Sequence, residues 1–210
     1  MRKSILIFLL IAALTSCRKY PDTGRLSTEF VVLTNYDTQA DFASYKSFSL
    51  PPYVGAISDN PKDSILDPAI GNQLIQKVEE NLTSRGYTKV PRENNPDLGI
   101  SITAIKNISI YQSWYPGGWW GYGGWGGCWW YYCGYYPVYP PGYPVYYVYQ
   151  TGSVIVEMVD LKNASPDVDK LNVLWTNWSG GALGENSDDV TNALNSIDQG
   201  FTQSPYIGTN

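Results

Sequence analysis

Residues 97–104 read Asp-Leu-Gly-Ile-Ser-Ile-Thr-Ala, and this alternation decides the fold. Its apolar side chains recur at every second position, which places them on one face of an extended strand. The Asn-Asn-Pro sequence at 94–96 is a turn signal directly before it. The stretch therefore predicts a half-buried β-strand, with one face in the core and the other toward solvent.

Four further runs predict strands. They are short and rich in β-branched and aromatic residues, and they lie at 30–33, 47–50, 153–160 and 171–178. Residues 51–66, rich in Pro, Gly and Asp, predict a loop.

Two stretches have helical periodicity. Asp67-Pro68 opens the first, because Asp can cap free amide groups and Pro fits the first helical position, and Gly86 ends it. Ser187, followed by Asp188 and Asp189, is predicted to cap the second. The apolar stripes are Ile70, Leu74, Val78 and Leu82 in the first helix, and Val190, Ala193, Leu194, Ile197 and Phe201 in the second.

The predicted order is thus β-β-α-β-β-β-α, in which strands and helices segregate. The simplest architecture is a single α+β domain over residues 29–210, with a mainly antiparallel sheet and two helices on one face. A chain of this length suits one domain with a real core.

A long Gly/Trp/Tyr-rich insertion at residues 111–149 interrupts this domain. It holds six of the eight Trp and twelve of the eighteen Tyr, and no charged residue lies between Lys106 and Glu157. The chain leaves one strand near Ile110 and returns to the next near Val145. We expect those two strands to pair and to hold the insertion as a long hairpin extension.

Three interpretations of the insertion stay open. Its Gly and Pro content is typical of a low-complexity loop. Aromatic area of this size is also typical of a binding surface, since Trp and Tyr suit bilayer interfaces and sugar faces alike. Tyr-rich runs favour β-stacked assembly, although the prolines oppose a continuous zipper. The candidate binding residues are Trp114, Trp119, Trp120, Trp125, Trp129 and Trp130.

The N-terminus has the features of a secretory signal. Met1-Arg2-Lys3 is positive, and the apolar run after it is shorter than the roughly 20 residues that a spanning helix needs. Leu14-Thr15-Ser16-Cys17 resembles the bacterial lipobox, in which the cysteine is lipidated and the chain is cut before it. We therefore predict a signal peptide at 1–16, a lipid anchor on Cys17 and a tether at 17–28; the alternative is an ordinary secreted protein with a stray cysteine.

A lipid anchor makes the membrane the first expected partner, because each buried methylene contributes about 0.8 kcal/mol and two chains make attachment stable. Arg18 and Lys19 stand where surface lipoproteins of the Bacteroidetes group tend to carry acidic residues. This favours an outer-membrane lipoprotein that faces the periplasm. Removal of Arg2 and Lys3 leaves twelve basic against nineteen acidic residues, a net charge of −7, so nucleic acid is a poor partner.

A series of short motifs runs in a fixed order through residues 30–205. They are Tyr36-Asp37, Asp41-Phe42, Tyr45-Lys46 with Phe48, Arg85-Gly86-Tyr87, Pro96-Asp97-Leu98, the run from Thr151 to Asp160, and Leu174-Trp175. Together with the lipobox and the insertion they resemble the bacterial lipoproteins of domain-of-unknown-function family 4136. The resemblance implies a lipid-anchored envelope domain without established catalytic residues. Thr176-Asn177 stands where many relatives have Arg-Gly, so no role of that Arg carries over.

Catalytic motifs are scarce. The sequence has no His, which removes the usual general base and the commonest metal ligand. Asp188-Asp189 could act as a carboxylate pair, and Asp37 with Asp41 could bind a cation, but helix capping and turn formation explain them better. Asp160 is better explained as a turn residue at a strand end than as an acid catalyst.

We therefore predict no catalytic residue, no metal and no cofactor. The expected function is non-catalytic binding or scaffolding through the aromatic insertion, with an envelope protein or a glycan as partner. The alternatives are an envelope hydrolase that uses Asp/Glu pairs and a glycan- or membrane-binding module.

Cys128 and Cys133 are the two cysteines that remain once Cys17 is lipidated. A disulfide is predicted, because a hairpin turn at the four residues between them would bring the Cα atoms within about 7 Å. A zinc site would be half built without His, and a redox-active pair lacks both the Cys-x-x-Cys spacing and a nearby positive charge.

Overall fold

The computed structural model describes residues 30–58, 60, 63–106, 128–129, 132–133, 136–138, 152–164, 170–183 and 190–209. The predicted signal peptide, the tether and most of the insertion lie outside these ranges. In chain order the described elements are β1 (Val31–Tyr36), β2 (Ser47–Ser49), β3 (Gly55–Ile57), α1 (Pro68–Ser84), β4 (Thr88–Lys89), β5 (Leu98–Ile105), β6 (Cys128–Trp129), β7 (Tyr132–Cys133), β8 (Tyr136–Val138), β9 (Ser153–Asp160), β10 (Lys170–Gly180) and α2 (Thr191–Thr202).

The large sheet has the strand order β1-β10-β9-β5-β2-β4, with β3 also paired to β5 and β8 to β10. Its long central strands are antiparallel: β1 pairs with β10, β10 with β9, and β9 with β5. The short strands pair in parallel, namely β2 with β4, β2 with β5, β3 with β5 and β8 with β10. The α+β class is confirmed, and the sheet is mixed although mostly antiparallel.

β5, before the insertion, pairs with β9, after it; the predicted exit near Ile110 and return near Val145 lie outside the described residues. The register runs without interruption from Leu98 opposite Asp160 to Ile105 opposite Ser153. Gly152 N donates to Ile105 O at 2.8 Å and closes the ladder at the end where the insertion begins. The two strands therefore bring Ile105 and Gly152, which flank the stretch of sequence with the insertion, to one place on the sheet.

Both helices pack on the same face of the sheet. The first begins as predicted, because the Asp67 side chain accepts a hydrogen bond from Ala69 N at 2.7 Å and Pro68 occupies the first turn. The second begins later than expected, at Thr191 with Val190 at the N-cap position, so the prediction that Ser187 caps it is wrong. One core cluster joins the two helices to the even-numbered residues of β5 and β9: Leu74, Val78, Leu82, Ala193, Ile197, Phe201, Leu98, Ile100, Ile102, Ala104, Val154, Val156 and Met158.

The second helix is fixed to β10 through aromatic and polar contacts. The Trp175 and Phe201 rings lie 4.9 Å apart between centroids, and Trp175 Nε1 donates to Ser204 Oγ at 2.8 Å. Buried Asn177 Nδ2 donates to Ser196 O at 3.4 Å. These contacts position the C-terminal helix over the centre of the sheet.

The prediction of a half-buried strand at 97–104 is wrong. All eight residues of β5 are buried, and so are all eight residues of β9. The polar residues Ser101, Thr103 and Glu157, which point away from the helices, are therefore buried as well. In the part of the chain that the structure describes, neither helix is long and apolar enough to cross a membrane.

Candidate functional site

A polar cluster lies where β9 ends and β5 begins; we call it the strand-end cluster and define it as Tyr45, Asp97, Asp160, Lys162 and Asn163. Buried Asp160 is its centre. Its Oδ2 accepts hydrogen bonds from the Tyr45 hydroxyl at 2.9 Å and from Asn163 Nδ2 at 2.8 Å, and its Oδ1 accepts one from Asn163 N at 2.9 Å. Asp160 is thus a turn residue at a strand end, as predicted.

Tyr45 and Lys162 complete one side of this cluster. Burial raises the pKa of the Tyr45 hydroxyl well above its ordinary value, and the negative charge of Asp160 raises it further. Lys162 Nζ lies 5.7 Å from the centroid of the Tyr45 ring and donates to Ser44 O at 2.8 Å. The hydroxyl donates to Asp160 Oδ2, and its burial beside that carboxylate favours the protonated form.

Asp97 joins three segments of backbone. Its Oδ2 accepts from Lys46 N at 2.6 Å and Ser47 N at 3.2 Å, which aligns the start of β2 with the start of β5. Its carbonyl oxygen accepts from Leu161 N at 2.9 Å and Lys162 N at 3.0 Å. The side chain and the carbonyl of Asp97 therefore hold the turn after β9 against the entry to β5.

Several other described carboxylates have structural partners too. Asp37 accepts from Gln39 N at 2.9 Å, which is the turn role predicted for it. Asp41 is the N-cap residue of a short 3-10 helix over Phe42–Ser44, without a side-chain capping bond. Pairs with lysine engage four more carboxylates: Asp63 with Lys106 at 3.1 Å, Glu79 with Lys89 at 2.6 Å, and Asp198 and Glu80 with Lys77 at 3.1 Å and 3.8 Å.

No group of three or more His, Cys, Asp or Glu within the described ranges could hold a metal ion. The carboxylate pair Asp188-Asp189 lies outside those ranges.

A second group of polar side chains lies on the sheet face opposite the helices, and we call this face the far face. One of its rows crosses four strands in register, with Asn35 beside Thr176, Thr176 beside Glu157, and Glu157 beside Ser101. Glu157 is only 6 % exposed, and it belongs to β9, which lies between β10 and β5 in the sheet. A carboxyl group in such a position needs hydrogen-bonding neighbours, which hydroxyl and amide side chains can provide.

The next row of the far face is mostly apolar. Trp178 lies beside Ile155 in register, and Ile155 beside Thr103. Trp178, Ile155 and Ile105 form a small buried cluster separate from the main core. A Cβ atom on Gly180 would lie 2.6 Å from Trp178 Cζ2, so the indole occupies the space that a side chain would fill.

Two polar atoms of the far face have no hydrogen-bond partner in the described part of the chain. These are Ser101 Oγ and Trp178 Nε1, and both belong to residues at least nine-tenths buried. The far face thus combines a carboxyl group, hydroxyl groups and an indole N–H, but the sequence has no His to activate a hydroxyl nucleophile.

The far face could not be read from the sequence, because Ser101 and Thr103 look like solvent-facing residues of an alternating strand. One signal was present: Glu157 interrupts the apolar run Ser-Val-Ile-Val-Glu-Met-Val at 153–159. A single acidic residue within such a run indicates a buried carboxyl group.

The predicted site residues lie mostly outside the described ranges. Cys17 and five of the tryptophans (Trp114, Trp119, Trp120, Trp125 and Trp130) belong to this group. Trp129 lies in β6, and Cys128 and Cys133 lie opposite one another at the ends of β6 and β7.

β1 forms one edge of the large sheet, and this edge is apolar and exposed. β1 pairs with β10 on one side, and among the described strands it has no partner on the other. Val31, Leu33 and Tyr36 are 45 %, 42 % and 40 % exposed, and the strand carries no charged residue. Edges with these properties are prone to contact other chains.

Comparison with known proteins gives one family. The sequence model of DUF4136, a domain of unknown function, matches residues 32–206. A crystal structure of a DUF4136 family protein from Bacteroides thetaiotaomicron is similar with a TM-score of 0.72 and 34% identity, over 86% of this chain and 98% of that chain. None of the curated proteins compared with the chain matches it.

Two structures of the PelC dodecamer from Paraburkholderia phytofirmans are more distant. They have TM-scores of 0.40 and 0.39 and 11% identity, over 86% and 87% of this chain and 99% and 100% of theirs. At that similarity they support no inference about this chain.

Proposed function

The chain belongs to the DUF4136 family, and from this premise we propose that it is a lipid-anchored domain of the bacterial cell envelope that binds a partner without catalysing a reaction. Its anchor is Cys17, after cleavage of the signal peptide at 1–16. Its location is the outer membrane, on the periplasmic side. The sequence features that support this are the lipobox and the basic residues Arg18 and Lys19.

The observation that carries the non-catalytic proposal is the arrangement around Asp160. This buried carboxylate accepts three hydrogen bonds from Tyr45 and Asn163, and its hydroxyl neighbour has a raised pKa. Hydrolysis with an Asp/Glu pair needs one carboxyl group free to donate or accept a proton at the substrate. Asp160 and Asp97 are instead engaged with side chains and backbone amides that hold the strand ends together.

Binding is assigned to the aromatic insertion at 111–149, with an envelope protein as the partner. Trp and Tyr side chains provide large contact areas with a polar tip, and they are enriched at protein interfaces. The ladder between β5 and β9 brings Ile105 and Gly152 together, and these residues lie on either side of the stretch of sequence that contains the insertion. That rigid attachment suits the presentation of a binding segment by a stable scaffold.

The lipid anchor limits where this surface can act. The tether at 17–28 has twelve residues, which span at most about 40 Å when extended. The exposed apolar edge of β1 begins three residues after the tether, at Val31. The start of the folded domain therefore stays within about 40 Å of the membrane, and its partner must be within reach of a domain held there.

Site-specific photocrosslinking in cells tests the binding surface. A photoreactive residue is placed at Trp119 or Trp125, and a control is placed at Asn72, an exposed position on α1. We expect one defined envelope protein to be captured from the two insertion positions and not from Asn72. Equal adduct patterns from all three positions would contradict the proposal, and capture of a glycan would replace the protein partner with the sugar-binding alternative.

A further inference from the structure

The backbone register brings Cys128 and Cys133 together. β6 and β7 form a two-stranded antiparallel sheet in which Cys128 is opposite Cys133 and Trp129 is opposite Tyr132. Directly opposed residues of an antiparallel pair share one face, with Cα atoms about 4.5–5.5 Å apart. Disulfides join Cα atoms that are usually about 4.4–6.8 Å apart. We propose that Cys128 and Cys133 form a cross-strand disulfide that fixes this hairpin.

The sequence of the hairpin gives a reason for the crosslink. In the sequence, only Trp130 and Tyr131 separate β6 from β7. Two-residue hairpins favour Gly, Asn or Asp, because their turns require positive φ, whereas this connection is Trp-Tyr. An isolated two-stranded hairpin is also marginally stable in water. A covalent restraint between its ends offsets both disadvantages.

The proposed crosslink is close along the chain to the large sheet. Cys133 is followed three residues later by Tyr136, the first residue of β8, which pairs in parallel with β10 at Lys170–Asn172. The hairpin is thus attached to the sheet through a very short connection. Trp129 and Trp130 lie inside the closed ring, and Trp125 precedes it by three residues. The disulfide therefore restrains candidate binding residues relative to the domain.

The chemistry needs an oxidant, so this inference rests on the proposed envelope location. Each thiol loses a proton, one S–S bond forms, and two electrons pass to the disulfide of a donor protein of the oxidising compartment. A mixed disulfide between the donor and one cysteine is the intermediate. The second cysteine displaces the donor, which leaves as a dithiol.

A glutathione titration tests the pairing independently of the location. The full chain in detergent is equilibrated in mixtures of oxidised and reduced glutathione, trapped with an alkylating agent and digested with trypsin. One tryptic peptide, residues 107–162, contains both cysteines and not Cys17. A closed pair takes up no alkyl group, an open pair takes up two, and a mixed disulfide carries glutathione.

The matched control carries Tyr132→Cys with Cys133→Ser. Shifting one cysteine by a single residue moves its side chain to the opposite face of the strand, while the ring changes by one residue and its closure entropy hardly changes. We expect the native pair to stay closed at a concentration of reduced glutathione at least tenfold higher than the concentration that opens the control pair. Equal closure of both pairs, or predominant mixed disulfide in the native chain, would overturn the assignment.

The same peptide from cells separates the two proposals. Rapid alkylation of intact cells should leave the native pair unlabelled, and Cys128→Ser should expose a single labelled thiol at Cys133. If the native pair closes preferentially in glutathione but is fully alkylated in cells, the pairing stands and the envelope location fails. If it is alkylated in cells and shows no preference over the control in glutathione, the disulfide itself is refuted.

Discussion

Replacement of Gly200 by Ala should destabilise the domain, although the same change stabilises most helices. Gly200 lies in α2 where the helix crosses β10, and it is buried. A Cβ atom at this position would lie 2.5 Å from Asn177 Nδ2 and 2.7 Å from Asn177 Oδ1. Asn177 is itself completely buried, so its carboxamide cannot move into solvent.

Two opposing effects set the magnitude. Alanine favours a helix over glycine by about 1 kcal/mol. Insertion of a methyl group into a packed core costs about 1–3 kcal/mol. Because the short contacts involve a fully buried side chain, we expect the packing cost to exceed the helical gain and to leave a net loss of about 1 kcal/mol in the free energy of unfolding.

A double-mutant cycle measured by urea denaturation, with circular dichroism as the signal, tests this balance. In an Asn177→Ala background the space opens, and Gly200→Ala should then stabilise by several tenths of a kcal/mol or more. The reasoning is refuted if Gly200→Ala stabilises the unaltered chain, or if its effect is the same in both backgrounds.

Three further predictions concern the core, alkaline stability and the insertion. Leu74→Asp should destabilise the domain by several kcal/mol, because it places an unpaired charge in the main core. Leu194→Asp, at a partly buried site, should destabilise it less. Equal effects of the two variants in denaturation experiments would contradict this. Burial raises the pKa of Tyr87 from 10.0 to about 12. The stabilisation that the neutral hydroxyl contributes is therefore complete below pH 10 and is lost as the pH rises toward 12. Tyr87→Phe should flatten that alkaline decline in stability, and an unchanged pH profile would count against this prediction. Replacement of residues 114–144 by a short Gly/Ser linker should leave a cooperative unfolding transition, because the main core draws on the helices and β5 and β9; loss of soluble folded protein would show that the far face depends on the insertion.

The long, regular elements could be predicted from the sequence. Asp67-Pro68 marks the start of α1, because capping chemistry is local, and the bounds of β9 are those expected from its apolar run. The pairing of β5 with β9 also follows, since both flank one insertion. Local signals and chain order were sufficient in each case.

The short parallel strands could not be predicted. β3 (Gly55–Ile57) has three residues inside a Pro/Gly-rich stretch, and β4 (Thr88–Lys89) has two, so neither contains a period that a pattern could reveal. Their positions depend on β5 and β2, which are distant in sequence.

The far face was missed for a different physical reason. Ser101 and Thr103 are small enough to be buried beside Glu157 and Ile155 respectively, whereas alternation alone assigns them to solvent. The candidate residues in the insertion remain predictions, because their chemistry depends on partners that composition does not identify.

The mass of the mature N-terminal peptide tests the lipid-anchored envelope assignment most directly. Protein isolated from the membrane fraction of its own bacterial host is digested, and the peptide that begins the mature chain is analysed by mass spectrometry. We predict that it starts at Cys17 and carries lipid on the sulfur and an acyl group on the new amine, and that Cys17→Ala abolishes fatty-acid incorporation. A chain that starts at Cys17 or elsewhere without lipid, or fatty-acid labelling that persists in Cys17→Ala, would contradict the assignment.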